Sequence, residues 1–101
     1  NMEYQTREKS YPDLFGTLKE LSKIGTWLFW TIAETRNIKT NVAILKANTP
    51  AEARKITLAY KELKELNILK RVKQQHYLMN PKVMLPDKGE YVRVRTYWNE
   101  L

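Results

Sequence analysis

The sequence contains no cysteine, so disulfides and thiolate metal sites are excluded and a reducing compartment suits it. Its three glycines, Gly16, Gly25 and Gly89, stand far apart, so none builds a loop that cradles phosphate. The single histidine, His76, has neither a cysteine nor a placed pair of carboxylates to work with. That leaves no constellation for acid–base, nucleophilic or metal chemistry. No enzyme activity, metal or cofactor is expected. Apolar runs such as Trp27 to Trp30 are far too short to span a bilayer, and no secretory leader is visible. A cytoplasmic chain with no membrane partner is expected.

What the chain does have is positive charge in one place. It carries a net charge of +7 over 101 residues. Between Arg36 and Pro86 there are eleven Lys/Arg and three Glu, a local balance of +8, whereas the remainder has seven Lys/Arg against eight Asp/Glu. Charge that serves solubility alone is more evenly spread. A localised excess on an ordered region suggests a polyanionic partner. The length fits one domain, with little room for a catalytic apparatus beside a core. A hydrophobic content of 43% and eleven aromatic residues argue for a folded chain.

Residues 1–10 are polar and aperiodic and read as a loose segment; residues 11–101 read as a single domain. Pro12-Asp13 opens a short helix with Leu14, Leu18 and Leu21 on one face and Phe15 beside them. Ser22 is placed to cap a helix from about Lys23 to Thr35, apolar nearly all round and therefore central. Gly25 near its start weakens it slightly. After the polar connection from Arg36 to Asn41, two readings fit. Asn41 to Ala47 makes a helix of about two turns, or the β-branched Val42 to Leu45 makes a short strand.

The organising stretch runs from Thr49 to Lys73. Thr49 is an N-cap, Pro50 the first helical residue, and Glu52 the acid that closes a capping box. Ile56, Ala59, Leu63 and Leu66 form one apolar stripe at helical period. The pattern breaks at Asn67 and a basic strand follows, Ile68 to Lys73. Gln74-Gln75 turns the chain and His76 to Met79 returns it, with Tyr77 and Met79 alternating with His76 and Leu78. Asn80-Pro81 ends the pairing. From Tyr91 on, helix is favoured over strand.

A helix feeding a basic hairpin is the local plan of a winged helix-turn-helix. The expected fold class is therefore α+β: a helical core, a two-stranded basic wing and a further C-terminal segment, read as helix. With the helical reading of Asn41 to Ala47, Ala47-Asn48-Thr49 is the turn and the helix from Pro50 is the recognition helix. The partner expected is double-stranded DNA. On that helix, Arg54, Lys55, Thr57 and Lys61 are candidates for the major groove. Lys39, Lys46 and Asn48 would add backbone contacts. The wing holds the denser set, Lys70, Arg71, Lys73, Gln74, Gln75 and His76, with no acid between Leu66 and Pro86. Its cations would neutralise phosphates, and Arg71 or a glutamine would enter a minor groove. Apolar residues at the two ends, Leu14, Phe15, Leu18 and Leu21, and Tyr91, Val94, Tyr97, Trp98 and Leu101, suggest a homodimer reading two half-sites, or simply closure of the monomer core.

Three segments carry a resemblance. Leu18 to Lys23, Lys61 to Arg71, and His76 to Lys82 with its Asn-Pro, in that order, resemble the winged-helix domain of RepL-type proteins of Firmicutes plasmids and phages, over roughly residues 18 to 86. That resemblance implies a replication protein bound at an origin. The chain departs from the family pattern in being short and in its abbreviated first helix. Its size, basic balance and Lys/Asn/Ile/Tyr-rich usage are also similar to the TcpK-type accessory proteins of clostridial conjugative plasmids. This implies binding to an origin of transfer within a relaxosome, beside a relaxase. A winged-helix transcription regulator, or a basic face meeting an acidic protein, are the alternatives.

Overall fold

A computed structural model describes residues 13–101. The expected loose segment at residues 1–10 lies outside the described residues. Among the described residues seven elements follow in order: α1 (Leu14–Lys19), α2 (Lys23–Thr35), β1 (Val42–Ile44), α3 (Pro50–Glu65), β2 (Leu69–Lys73), β3 (His76–Met79) and α4 (Tyr91–Glu100). The three strands form one antiparallel sheet in the order β1-β3-β2. The architecture is α+β. Helices α2 and α3 cover one face of the sheet and α4 the other.

Both long helices begin where their caps dictate. The Ser22 hydroxyl accepts from the Gly25 N–H at 3.0 Å, and that of Thr49 from the Glu52 N–H at 3.1 Å. The Glu52 carboxylate accepts from the Asn48 N–H at 2.8 Å, one residue before the N-cap, so the box closes on the preceding turn. Glu62 joins the two helices, accepting from both the N–H and the hydroxyl of Ser22. That carboxylate explains Gly25: a Cβ there would overlap it. The glycine is a close-approach site, and its propensity cost is accepted for the contact between helices.

The larger core lies between α2, α3 and the sheet. Leu28, Phe29, Ile32, Ile56, Ala59 and Leu63 meet Ala43, Leu69, Tyr77 and Met79 there. Helix α2 is not buried all round as its composition suggests. Trp30 is 53% exposed, because α3 and the sheet cover only one side. The smaller core lies on the other face, where Val94 and Trp98 of α4 pack on Leu78, Val42 and Val72. These two α4 residues therefore close the monomer, as Leu18 and Leu21 do by packing on the larger core. Phe15, Tyr97 and Leu101 are exposed.

Of the two readings for residues 41–47, the structure takes the strand. Asn41 sets it. The residue has φ 62°, a conformation asparagine tolerates, and is fully buried. Its amide donates to the carbonyls of Met79 (3.1 Å) and Met84 (2.9 Å), while its side-chain oxygen accepts from the Arg36 guanidinium. Its backbone carbonyl accepts from the Met79 N–H. The chain is thereby paired to β3 as it leaves the turn, and residues 45–49 run on without helix. No two-turn helix precedes α3, which departs from the two-helix unit expected around Ala47-Asn48-Thr49. Asn80 plays a matching part at the other end of β3, donating to the Asn67 carbonyl at 2.8 Å and accepting from the Lys82 N–H at 2.9 Å. Among the described residues, no helix is long and apolar enough to cross a membrane.

Candidate nucleic-acid interface

The hairpin of β2 and β3 carries the expected cations, and its register decides where they point. Leu69 pairs with Met79, Lys70 with Leu78 and Arg71 with Tyr77; then Lys73, not Val72, pairs with His76. One extra residue sits on β2, a β-bulge. Before it, side chains alternate: Leu69 enters the larger core, Lys70 meets α4, and Arg71 returns to the α3 side. After it, Val72 and Lys73 both line the α4 side, together with His76. The six wing candidates are thus divided between two faces. Arg71, Gln74 and Gln75 lie on the α3 side; Lys70, Lys73 and His76 lie on the α4 side.

On the α3 side a groove of about 170 Å³ separates the hairpin from the first half of α3. Ala47, Ile56 and Tyr77 give it an apolar floor, and Thr57, Arg71 and Gln75 stand around it. Three contacts fix its geometry. The Tyr60 hydroxyl accepts from the Arg71 N–H at 2.8 Å, the Tyr60 and Tyr77 rings lie 5.4 Å apart, and the Gln75 carbonyl accepts from the Leu45 N–H at 2.8 Å. Gln75 itself takes φ 67°, which closes the turn. Arg54 and Lys61 are exposed on the outer face of α3, and Lys46 and Asn48 on the connection that leads into it. The Thr57 hydroxyl donates to the Ala53 carbonyl of its own helix at 3.0 Å.

Five expected or basic residues are placed elsewhere. The Lys55 ammonium lies 4.0 Å from the centre of the Trp27 ring, toward α2. Lys70 donates to the Trp98 carbonyl at 2.9 Å and sits 4.3 Å above its ring. Lys39 is exposed in the turn before β1, at the end of that strand away from the hairpin turn, where its carbonyl accepts from Arg93. Arg36, counted in the basic excess, donates to Asn41; burial holds its guanidinium below its ordinary pKa, and its Nε is buried with no hydrogen-bond partner among the described residues. His76 holds its Nδ1 2.8 Å from the Gln74 carbonyl.

Two acids of this region are turned to structural use: Glu52 is in the α3 cap and Glu62 is bound to Ser22, while Glu65 is exposed at the other end of the helix, in a group with Glu20 and Leu66. One apolar residue stands among these polar ones, off the stripe, as its spacing predicts. Leu58 is 61% exposed on α3, four residues after Arg54 and three before Lys61. No family model, curated protein or solved structure matches this chain.

Proposed function

We propose that this protein binds duplex DNA through one continuous face, made by the outer side of α3 and the α3 side of the β2–β3 hairpin. The observation that carries the reading is the exposure of cations on these elements. Arg71 stands beside Gln74 and Gln75 at the groove between hairpin and α3, Arg54 and Lys61 are exposed on α3 and Lys46 on the connection into it, while the carboxylates of Glu52 and Glu62 are engaged at the helix starts. Cations in that pattern neutralise phosphates, and an arginine flanked by glutamines has the donors to read base edges. The order helix, strand, helix, hairpin, with β1 pairing to β3, supports a winged-helix reading in which the hairpin is the wing. The helix normally placed before the recognition helix is replaced by residues 45–49 in non-helical conformation.

By its resemblance to plasmid proteins, the target in this reading is a site for plasmid DNA processing, with an origin of transfer placed before an origin of replication or a promoter. The protein would act passively, marking a site for a relaxase or a replication enzyme. Salt dependence tests the binding. With the three cations Lys46, Arg54 and Lys61 at phosphates, log affinity for a duplex falls against log salt with a slope of about −3. A slope near zero in a fluorescence-anisotropy titration would remove the phosphate-contact model. Footprinting across plasmid fragments then separates origin from promoter.

A further inference from the structure

The face of the hairpin turned toward α4 is not absorbed by the duplex reading. It forms one wall of a cleft of about 400 Å³ between the sheet and α4. The floor is apolar, made by Val42, Ile44 and Val72. Tyr97 of α4 forms the opposite wall. Two of these groups are open to solvent, Ile44 at 64% and Tyr97 at 40%. Lys73, His76 and Arg93 stand around the rim, and Asn37 and Thr40 close one end with hydrogen-bonding side chains. Among the described residues that line the cleft there is no Asp or Glu. Arg93 is held in position, donating to Glu90 at 2.9 Å and to the Lys39 carbonyl, and its side chain is still 57% exposed.

We propose that this cleft binds an unpaired base of single-stranded DNA, as a site separate from the duplex-contacting face. An apolar floor with an exposed aromatic wall suits the face of a nucleobase, which every base presents. A cationic rim suits the phosphates on either side of it. The Asn37 and Thr40 side-chain oxygens accept from the Lys39 and Val42 N–H groups, which leaves the Asn37 amide N–H and the Thr40 hydroxyl as donors for the polar edge of the base. A paired base inside a duplex is not available to a concave site of this kind, whereas an unpaired one is. The β-bulge is the device that makes the site. It turns Lys73 away from Arg71 and beside His76, so that one short hairpin serves two nucleic-acid surfaces. The inference goes beyond the duplex reading and does not depend on it.

The test is an anisotropy titration of the full chain with a labelled dodecathymidylate, set beside a titration with a mixed-sequence duplex. Tyr97→Ala is expected to weaken single-strand binding by about fivefold or more, the loss of one base–aromatic stack. Tyr97→Phe, which keeps the ring, is expected to stay within about twofold of the wild type on the same ground. Duplex affinity is expected to be unchanged in both variants. In the wild-type protein, the methyl resonances of Ile44 and Val72 are expected to shift as dodecathymidylate is added, which checks the site even where a variant folds poorly. Single-strand binding that ignores Tyr97→Ala would overturn the proposal. So would displacement by polyglutamate as readily as by unlabelled dodecathymidylate, or methyl shifts confined to the α3 side. Loss of duplex binding alone would strike the duplex reading and leave this one standing.

Discussion

The two faces of the β2–β3 hairpin are built from neighbouring residues and do different things. On the α3 side the strand meets a large core and a tyrosine hydroxyl, and its cation, Arg71, is left at the rim of a groove. On the α4 side the core is small, and the cation next in sequence, Lys70, is drawn onto Trp98 as part of the packing. A lysine beside an indole face and a carbonyl of the last helical turn is a structural group whose stem is partly buried and whose charge is satisfied. The comparison shows that a count of positive residues overstates the surface offered to a polyanion. Lys55 on Trp27 and Arg36 on Asn41 make the same point.

The largest effects that bear on this contrast are on stability. Leu63, fully buried in the larger core, and Trp98, 8% exposed in the smaller one, are the residues to compare. Leu63→Ala is expected to cost ~2–5 kcal/mol and Trp98→Ala ~3–5 kcal/mol. The way the loss is distributed matters more than its size. Helix α3 is tied to the rest by its apolar stripe and by the Glu62–Ser22 contacts, so Leu63→Ala is expected to destabilise every element together. Helix α4 rests on two buried side chains, so Trp98→Ala is expected to speed amide exchange in α4 while β3 amides stay protected. Uniform loss of protection in both variants would show the two faces to be one cooperative unit.

Next in size is the effect of side chains on DNA affinity. Arg71 stands on a strand whose backbone is pinned by the Tyr60 hydroxyl, beside two glutamines; Arg54 projects from an open helix face. A pinned arginine loses less freedom on binding and suits bidentate base contact. Arg71→Ala is therefore expected to weaken duplex binding by roughly 5- to 100-fold and to relax sequence preference, the loss of a base contact. Arg54→Ala is expected to cost less and to do so evenly across sequences. The reverse order in a gel-shift titration would return the leading role to α3.

These contrasts were only partly readable beforehand, and the dividing line is sequence distance. The helix from Lys23 to Thr35 and the strand from His76 to Met79 stand where their local signals put them, since Ser22 and the Asn80-Pro81 corner act within a few residues. The segment after Asn41 was open between helix and strand because its decision is made by Met79 and Met84, about forty residues on. The bulge at Val72 exists only in the register between β2 and β3 and leaves no composition signal of its own. Without it, simple alternation would place Lys73 on the face of Arg71. Lys70 belongs to the wing by sequence alone for a related reason, because Trp98 reaches it from 28 residues away.

The smallest effect sharpens the comparison most directly. Lys70→Met keeps an unbranched stem against Trp98 and removes only the ammonium. The variant loses one cation–π contact and the donor to the Trp98 carbonyl, and a stability loss of ~0.5–1 kcal/mol is expected in denaturant unfolding. Its affinity for duplex DNA and its salt slope are expected to match the wild type, because the ammonium is engaged with α4 and takes no phosphate. Arg71→Met, one position along, removes a rim cation from the other face and is expected to weaken duplex binding by roughly 5- to 100-fold, as Arg71→Ala does. Equal losses of affinity in the two variants would mean that both faces of the hairpin meet the same duplex, and the division made by the strand's alternation would then be structural only.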